Sequence, residues 1–202
     1  SYVEREDIEP SKAALEALGY KIFIHEQTYA RHHQSAGTQN EKITALHDLY
    51  KNPAVKAIWA AGGGNRALPL LDDLNYNLIK DNPKPLIGFS DVTALLNAIT
   101  AKTDIINIHG DVFKNLYKNK SQLEQTLHLL SGQKTSMDLS GCKILQHGQA
   151  QGTIIGGNLS VFQYLIGTQD CPSLEGALLF LEDCGDEISR IDRMLAHLRL
   201  HN

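Results

Sequence analysis

The 202-residue chain lacks the features that mark membrane proteins and nucleic-acid-binding proteins. It contains no apolar run long enough to span a bilayer. Its basic residues are scattered, its net charge is −4, and no aromatic residues alternate with a basic stripe. We therefore expect neither a membrane partner nor a nucleic-acid partner.

Cysteine is scarce as well, since the chain has only Cys142, Cys171 and Cys184. Their odd number argues against a disulfide framework, and their spacing matches no metal site. We expect no metal ion and no other cofactor, and a reducing compartment such as the cytoplasm. Cys184 is placed to serve as a nucleophile, although a buried, inert thiol is the more common role of a free cysteine.

The chain does contain a regular succession of predicted strands and helices. Helices are predicted over residues 10–18, 40–50, 66–71 and 92–101, and strands over 21–24, 57–60 and 86–88. This alternation predicts an α/β fold in which helices flank a parallel sheet, with a ligand crevice at the carboxyl ends of the strands. With 42% hydrophobic and 21% charged residues, the chain is expected to be globular.

Changes in composition predict three segments along the chain. Residues 1–117 are predicted to form an N-terminal α/β domain. Residues 118–142 are polar, include a predicted helix over 121–130, and are interpreted as a connection. Residues 143–202 contain glycines between short apolar runs, a helix over 159–166, a strand over 177–181 and a helix that begins near Ile188. We expect this last segment to be part of a second, glycine-rich α/β or β-rich domain.

A serine lies where the strand over 86–88 meets the following helix. Ser90 falls where the apolar run of the strand gives way to the helical spacing of apolar residues. Its hydroxyl is therefore expected at the carboxyl end of the strand, beside the backbone N–H groups that begin the helix. This layout suits a nucleophile for acyl transfer. The alternative is that Ser90 caps the helix. The match to the hydrolase elbow Gly-x-Ser-x-Gly is also incomplete, because Val92 stands where that motif has its second glycine.

Three consecutive glycines, residues 62–64, follow the strand over 57–60. Glycine lets the backbone approach a ligand closely and point its N–H groups at an oxyanion. The segment lacks the glycine spacings of phosphate-binding and dinucleotide-binding loops. The remaining alternatives are an oxyanion-binding turn and an ordinary tight turn.

An ordered set of motifs covers nearly the whole chain. They are Gly-Gly at 62–63, Leu-Pro-Leu-Leu-Asp at 68–72, Asn-Pro-Lys at 82–84, Gly-Phe-Ser-Asp-Val-Thr-Ala-Leu at 88–95, Ile-His-Gly at 108–110, Gly-Gly-Asn-Leu at 156–159, Leu-Phe-Leu-Glu-Asp at 179–183 and Ile-Asp-Arg-Met-Leu at 191–195. Together they resemble the LD-carboxypeptidase family of serine peptidases, which includes the murein tetrapeptide carboxypeptidases and the microcin C immunity proteins.

The resemblance implies a Ser-Glu-His triad with Ser90 as the nucleophile and Glu182 as the carboxylate. It also implies an oxyanion hole made by backbone N–H groups of Gly62 or Gly63 and of Asp91. No histidine of this chain matches the family's catalytic position, which we expect beyond residue 202. The family's first strand is also absent before residue 10, so we expect a piece of a longer protein, or else an inactive remnant.

The function implied by the resemblance is hydrolysis of an L,D-peptide bond that releases the terminal D-alanine of murein tetrapeptide during cell-wall recycling. A peptidyl-adenylate hydrolase of the microcin C immunity type is the alternative within the family. A protein that binds murein peptides without hydrolysing them is the alternative from another class. A homodimer is the expected assembly.

Overall fold

The computed structural model describes residues 2–133, 136 and 139–201, which form helices around two small parallel sheets. The helices are α1 (Arg5–Ala17), α2 (Gln39–Lys51), α3 (Tyr76–Asp81), α4 (Thr93–Thr103), α5 (Lys120–Leu130), α6 (Leu159–Phe162) and α7 (Ile188–Leu200). The strands are β1 (Ile58–Trp59), β2 (Leu86–Gly88), β3 (Ile108–His109), β4 (Ile154–Asn158) and β5 (Leu178–Glu182). Short 3₁₀ helices cover Glu26–Tyr29, Leu68–Asp73, Ser90–Val92 and Phe113–Lys118. None of the helices in these described ranges has the length and apolar character that a bilayer crossing requires.

The first sheet has the strand order β1-β2-β3 and is parallel throughout, which confirms the predicted α/β fold with flanking helices. Ile87 at the centre of β2 pairs with Trp59 on one side and Ile108 on the other. All three residues of β2 are buried, as expected for a central parallel strand covered by helices. Helix α4 packs on this strand and is buried continuously from Thr93 to Ile99.

The second sheet pairs β4 with β5 in parallel, from Ile154 opposite Leu178 to Asn158 opposite Glu182. Helix α6 follows β4 and helix α7 follows β5, so this part of the chain is α/β rather than β-rich. The two sheets share one hydrophobic core. Its buried members include Leu86, Leu95, Ile99, Ile155, Leu159, Phe162, Met194 and Leu198.

Strand β4 docks on helix α4 through its backbone. The side-chain amide of Asn97 donates to the Gly156 carbonyl at 2.7 Å and accepts from the Gly156 N–H at 3.0 Å. The N–H of Asn158 donates to the Thr93 hydroxyl at 3.0 Å. Gly156 and Gly157 have φ angles of +113° and +124°, and a Cβ on Gly157 would lie 2.8 Å from Thr93 Oγ1. Only glycine allows this close approach.

Most predicted elements lie within two residues of their observed ends, but several do not. Helix α1 begins at Arg5 rather than at Pro10, because Glu4 and Asp7 form a capping box that starts it earlier. Residues predicted as a helix over 66–71 form the 3₁₀ helix Leu68–Asp73, and α6 ends at Phe162 instead of residue 166. Strands β3 and β4 were not predicted, because one has two residues and the other contains two glycines.

The predicted strand over residues 21–24 is wrong. This segment has no strand partner among the described residues, although Ile22 and Ile24 pack against a cluster that includes Trp59. A cavity of about 180 Å³, lined by His25 and Gln27 and by residues 58–60 of the β1 region, opens beside it. A strand needs a hydrogen-bonding neighbour as well as an apolar pattern, and the nearest sheet edge does not supply one.

We expect Gly156→Ala to lower the free energy of unfolding by roughly 3 kcal/mol or more. The added methyl group would overlap the carbonyl oxygen of Phe180 in a left-handed backbone that already disfavours alanine. Gly132→Ala is the matched control, because Gly132 has a φ of +72° but open space around it, so only about 1–2 kcal/mol should be lost. Urea unfolding measures both. Equal losses would contradict the proposed steric limit on the pairing of β4 with β5.

Candidate active site

Ser90 occupies a sharp turn between β2 and α4. Its φ angle is +60°, a conformation that residues other than glycine adopt rarely and mostly under constraint. Val92 donates its N–H to the Phe89 carbonyl at 3.2 Å, which closes a single 3₁₀ turn before α4 begins. A Cβ on Gly88 would lie 2.8 Å from Val92 Cγ1, so the turn is tight. The half-buried serine is therefore displayed on a strained elbow.

The alternative role of Ser90 as a helix cap is wrong. Phe89 and Val92 are the residues at the N-cap positions of the 3₁₀ turn and of α4, and neither helix start has a side-chain cap. The Ser90 hydroxyl makes no hydrogen bond to any residue in the described part of the chain. It is available for a reacting group.

The glycine turn lies directly against Ser90. A Cβ built on Gly63 would lie 3.4 Å from both Cβ and Oγ of Ser90, which is ordinary van der Waals contact. Strands β1 and β2 are parallel neighbours, and both the turn and the elbow follow their carboxyl ends. The predicted juxtaposition of residues 62–63 with the elbow is therefore observed for Gly63.

The Asp91 side chain fixes the glycine turn to the elbow. Its carboxylate accepts hydrogen bonds from the N–H groups of Arg66 at 2.8 Å and Ala67 at 3.0 Å. Burial raises the pKa of this carboxyl, and the two backbone hydrogen bonds act in the opposite direction. Sequence reasoning assigned a role only to the Asp91 N–H, because a contact across 25 residues has no local signal.

Glu182 is the last residue of β5 and lies opposite Asn158 in the register. Its Oε1 is buried and has no hydrogen-bond partner among the described residues. It makes no hydrogen bond to Ser90. The group that faces it is Nε2 of His109, at 3.9 Å from Oε1.

His109 ends β3 and lies beside Gly88 of β2 in the register. Its ring packs edge-on against Phe89 and Phe180, with centroid distances of 6.4 and 5.2 Å. Burial lowers the pKa of His109, and the charge of Glu182 opposes this shift. Sequence reasoning missed the pair, because its members belong to different sheets and β3 was not predicted.

The other candidate groups do not join this site. His25 accepts a hydrogen bond from the Gln27 N–H, and His47 accepts one from the Asn75 N–H. His197 and His201 contact each other at the end of α7. Cys184 is exposed, so the expectation of a buried thiol is wrong for this residue. Within the described ranges, no group of three or more His, Cys, Asp or Glu residues could hold a metal ion.

Comparison with known proteins gives a family for both parts of the chain. The family model for the LD-carboxypeptidase N-terminal domain matches residues 1–110, and the model for the LD-carboxypeptidase C-terminal domain matches residues 151–202. A protein described as a probable murein peptide carboxypeptidase of Bacillus subtilis (strain 168) is 31% identical over 92% of this chain and 60% of its own length. The murein tetrapeptide carboxypeptidase of Pseudomonas aeruginosa is 30% identical over 98% of this chain and 68% of its own length. The chain thus spans less than two thirds of the length of several curated relatives.

A solved structure is also similar to this chain. It is an active-site mutant of the microcin C7 self-immunity protein MccF in the apo state, in which a serine, an asparagine and a lysine are replaced by alanine. It superposes with a TM-score of 0.82 at 25% identity, and covers 96% of this chain and 68% of that one.

We expect Ser90→Gly to raise the free energy of unfolding by roughly 0.5–1 kcal/mol. Relief of left-handed strain is worth about 1–2 kcal/mol, which exceeds the entropic cost of glycine of about 0.5–1 kcal/mol. Asp104→Gly is the control, since Asp104 also has a φ of +60° but follows the last residue of α4, at the opposite end of that helix from the elbow. Urea unfolding measures both variants. Loss of stability in Ser90→Gly alone would show that the elbow is not strained.

The pH dependence of stability should report the burial of Asp91. Because its folded pKa is raised, the folded protein holds this proton more tightly than the unfolded chain, so stability falls as the pH rises above the pKa of an unfolded aspartate, about 3.9. Asp91→Asn removes this titration, and wild type should lose stability relative to the variant over that range. Asp81→Asn, at an exposed position in α3, controls for the change in net charge alone. Urea unfolding at a series of pH values upward from about 3 measures the difference, and parallel curves of stability against pH for wild type and Asp91→Asn would contradict the assignment.

Proposed function

Because the chain belongs to the LD-carboxypeptidase family, we propose that it carries the nucleophile of a serine carboxypeptidase that hydrolyses an L,D-peptide bond. The substrate is a murein tetrapeptide, and the product is its terminal D-alanine, released in cell-wall recycling. Relatives named as murein peptide and murein tetrapeptide carboxypeptidases support the substrate. The observation that carries the proposal is the position of Gly63 beside a strained elbow serine, where a Cβ on Gly63 would lie 3.4 Å from Ser90 Oγ.

In the proposed reaction, Ser90 Oγ attacks the carbonyl carbon of the L,D-bond while a general base takes the hydroxyl proton. The resulting oxyanion accepts hydrogen bonds from the N–H groups of Gly62 or Gly63 and of Asp91. Loss of one such donor typically slows the reaction by about 100- to 1,000-fold. The intermediate collapses to an acyl-enzyme and expels D-alanine, whose amine receives the proton. Water then hydrolyses the ester and restores Ser90.

Glu182 has the role of the triad carboxylate in this proposal, because it ends the strand that pairs with β4, and β4 docks on the elbow helix α4. Such a group orients an imidazole and stabilises its charge after proton transfer. Among the described residues, no histidine hydrogen-bonds to Ser90. We therefore assign the general base to a histidine outside the residues described here, as the family resemblance implies.

The decisive experiment compares intact wild-type protein with Ser90→Ala in an assay for D-alanine release from murein tetrapeptide. The variant should lose turnover by roughly 10⁴-fold or more. It should keep the stability of wild type, because the hydroxyl makes no bond to a described residue. Ser131→Ala, which removes an exposed hydroxyl that donates to the His128 carbonyl, should keep full turnover.

Each other outcome supports an alternative. Binding of the tetrapeptide by wild type without release of D-alanine would favour the non-hydrolytic binding protein. Turnover of a peptidyl-adenylate but not of tetrapeptide would favour the immunity-type hydrolase. Undiminished turnover in folded Ser90→Ala would exclude Ser90 as the nucleophile. The expected homodimer and cytoplasmic location rest on the resemblance and the cysteine content alone.

A further inference from the structure

Two polar atoms, one on the last residue of β3 and one on the last residue of β5, are buried without hydrogen-bond partners within the described residues. In the described part of the chain, three buried side-chain polar atoms have no hydrogen-bond partner, and two of them are Glu182 Oε1 and His109 Nδ1. About nine in ten or more of such atoms are satisfied in folded proteins, because an unpaired buried polar atom is costly. Two unpaired buried polar atoms on residues that contact each other indicate that this pair serves a purpose other than stability.

The His109 ring is held in its orientation from several sides. Its edges contact the rings of Phe89 and Phe180. Gly157 lies against Nδ1, since a Cβ there would be 3.0 Å from that atom. The ring therefore has little freedom to turn, and its other nitrogen, Nε2, faces Glu182 Oε1 at 3.9 Å. A shift of about 1 Å would bring the two atoms to hydrogen-bonding distance.

We infer that His109 is a positioning residue for the proposed reaction, which holds Oε1 of Glu182 and leaves Oε2 to orient the catalytic imidazole. This inference rests on the proposed function of Glu182. Hydrogen bonds to both oxygens of a triad carboxylate fix its rotamer, as outer partners do for other catalytic ligands. His109 reaches Glu182 from β3, which is hydrogen-bonded to the strand that leads into Ser90. It thereby links the carboxylate to the elbow.

A neutral ring suits this role. Neutral His109 can donate from Nε2 without cancelling the negative charge that a triad carboxylate needs. Burial favours this neutral form by lowering the pKa, and the charged group that acts on the ring in the described structure is Glu182 itself. Below that pKa, an imidazolium at 3.9 Å would compete with the catalytic histidine for the carboxylate.

The first test compares kcat and KM for D-alanine release in intact wild type, His109→Ala and His109→Gln. Removal of the ring should lower kcat by about 10- to 100-fold with little change in KM. Glutamine carries an N–H donor near the position of Nε2 and does not titrate. It should recover most of kcat and remove the acid limb that His109 contributes to the pH profile. His47→Ala is the control, because His47 lies in α2 and accepts its hydrogen bond from the Asn75 N–H.

These results discriminate between positioning and packing. Equal losses in the alanine and glutamine variants would overturn the inference and assign His109 a packing role. Full kcat in folded His109→Ala would overturn it as well. Recovery by glutamine alone supports the hydrogen bond to Glu182, even if alanine also lowers stability in urea.

The second test needs no enzymatic activity. Histidine resonances of the intact protein are followed by NMR over pH in wild type and Glu182→Gln. The pKa of His109 should fall in the variant, because the carboxylate that opposes the effect of burial is gone. The His47 resonance should not move. A protein that releases no D-alanine but shows this shift would retain the pair and lose the proposed function, and an unchanged His109 would overturn the pair itself.

Discussion

The backbone contact between β4 and α4 determines how the two halves of the site meet. Asn97 satisfies both the N–H and the carbonyl of Gly156, as a neighbouring strand would, and so replaces a ladder partner with a helix side chain. The N–H of Asn158 is bound in the same way by Thr93. Ser90 lies three residues before Thr93, and Glu182 lies opposite Asn158. This one contact therefore sets the position of Glu182 relative to Ser90.

Local costs accumulate around that contact in a way that packing alone does not explain. Ser90 has a left-handed backbone, and Asp91 is a carboxylate whose burial disfavours its charged form. Glu182 and His109 each bury an unpaired polar atom. Binding and catalytic sites commonly retain such strain. The surrounding structure holds their groups in positions that those groups would not adopt in water or in their preferred rotamers. The concentration of these features within one edge of the fold is consistent with the role proposed for it.

The sequence predicts local features of this protein well and distant contacts poorly. The elbow was predictable because the change from the strand pattern to the helix pattern lies within the ten residues 86–95. Helix α2 was predictable as well, and it begins at a local signal, the capping box formed by Thr38 and Glu41. The prediction of a strand over 21–24 was wrong, because an apolar pattern does not reveal whether a hydrogen-bonding neighbour strand exists. The His109–Glu182 contact was beyond prediction, since it depends on the docking of two sheets through glycines. The side-chain role of Asp91 escaped for the same reason.

The proposed chemistry divides between two structural sources. The elbow and the glycine turn follow adjacent strands of the first sheet, and the Asp91 carboxylate joins them, so oxyanion stabilisation depends on that sheet alone. Control of the proton depends on Glu182, which arrives on β5 from the second sheet. An oxyanion hole with substrate binding retains part of the catalysis even when the triad is disabled. It follows that the docking of β4 on α4 governs the activation of the nucleophile more than the stabilisation of the intermediate.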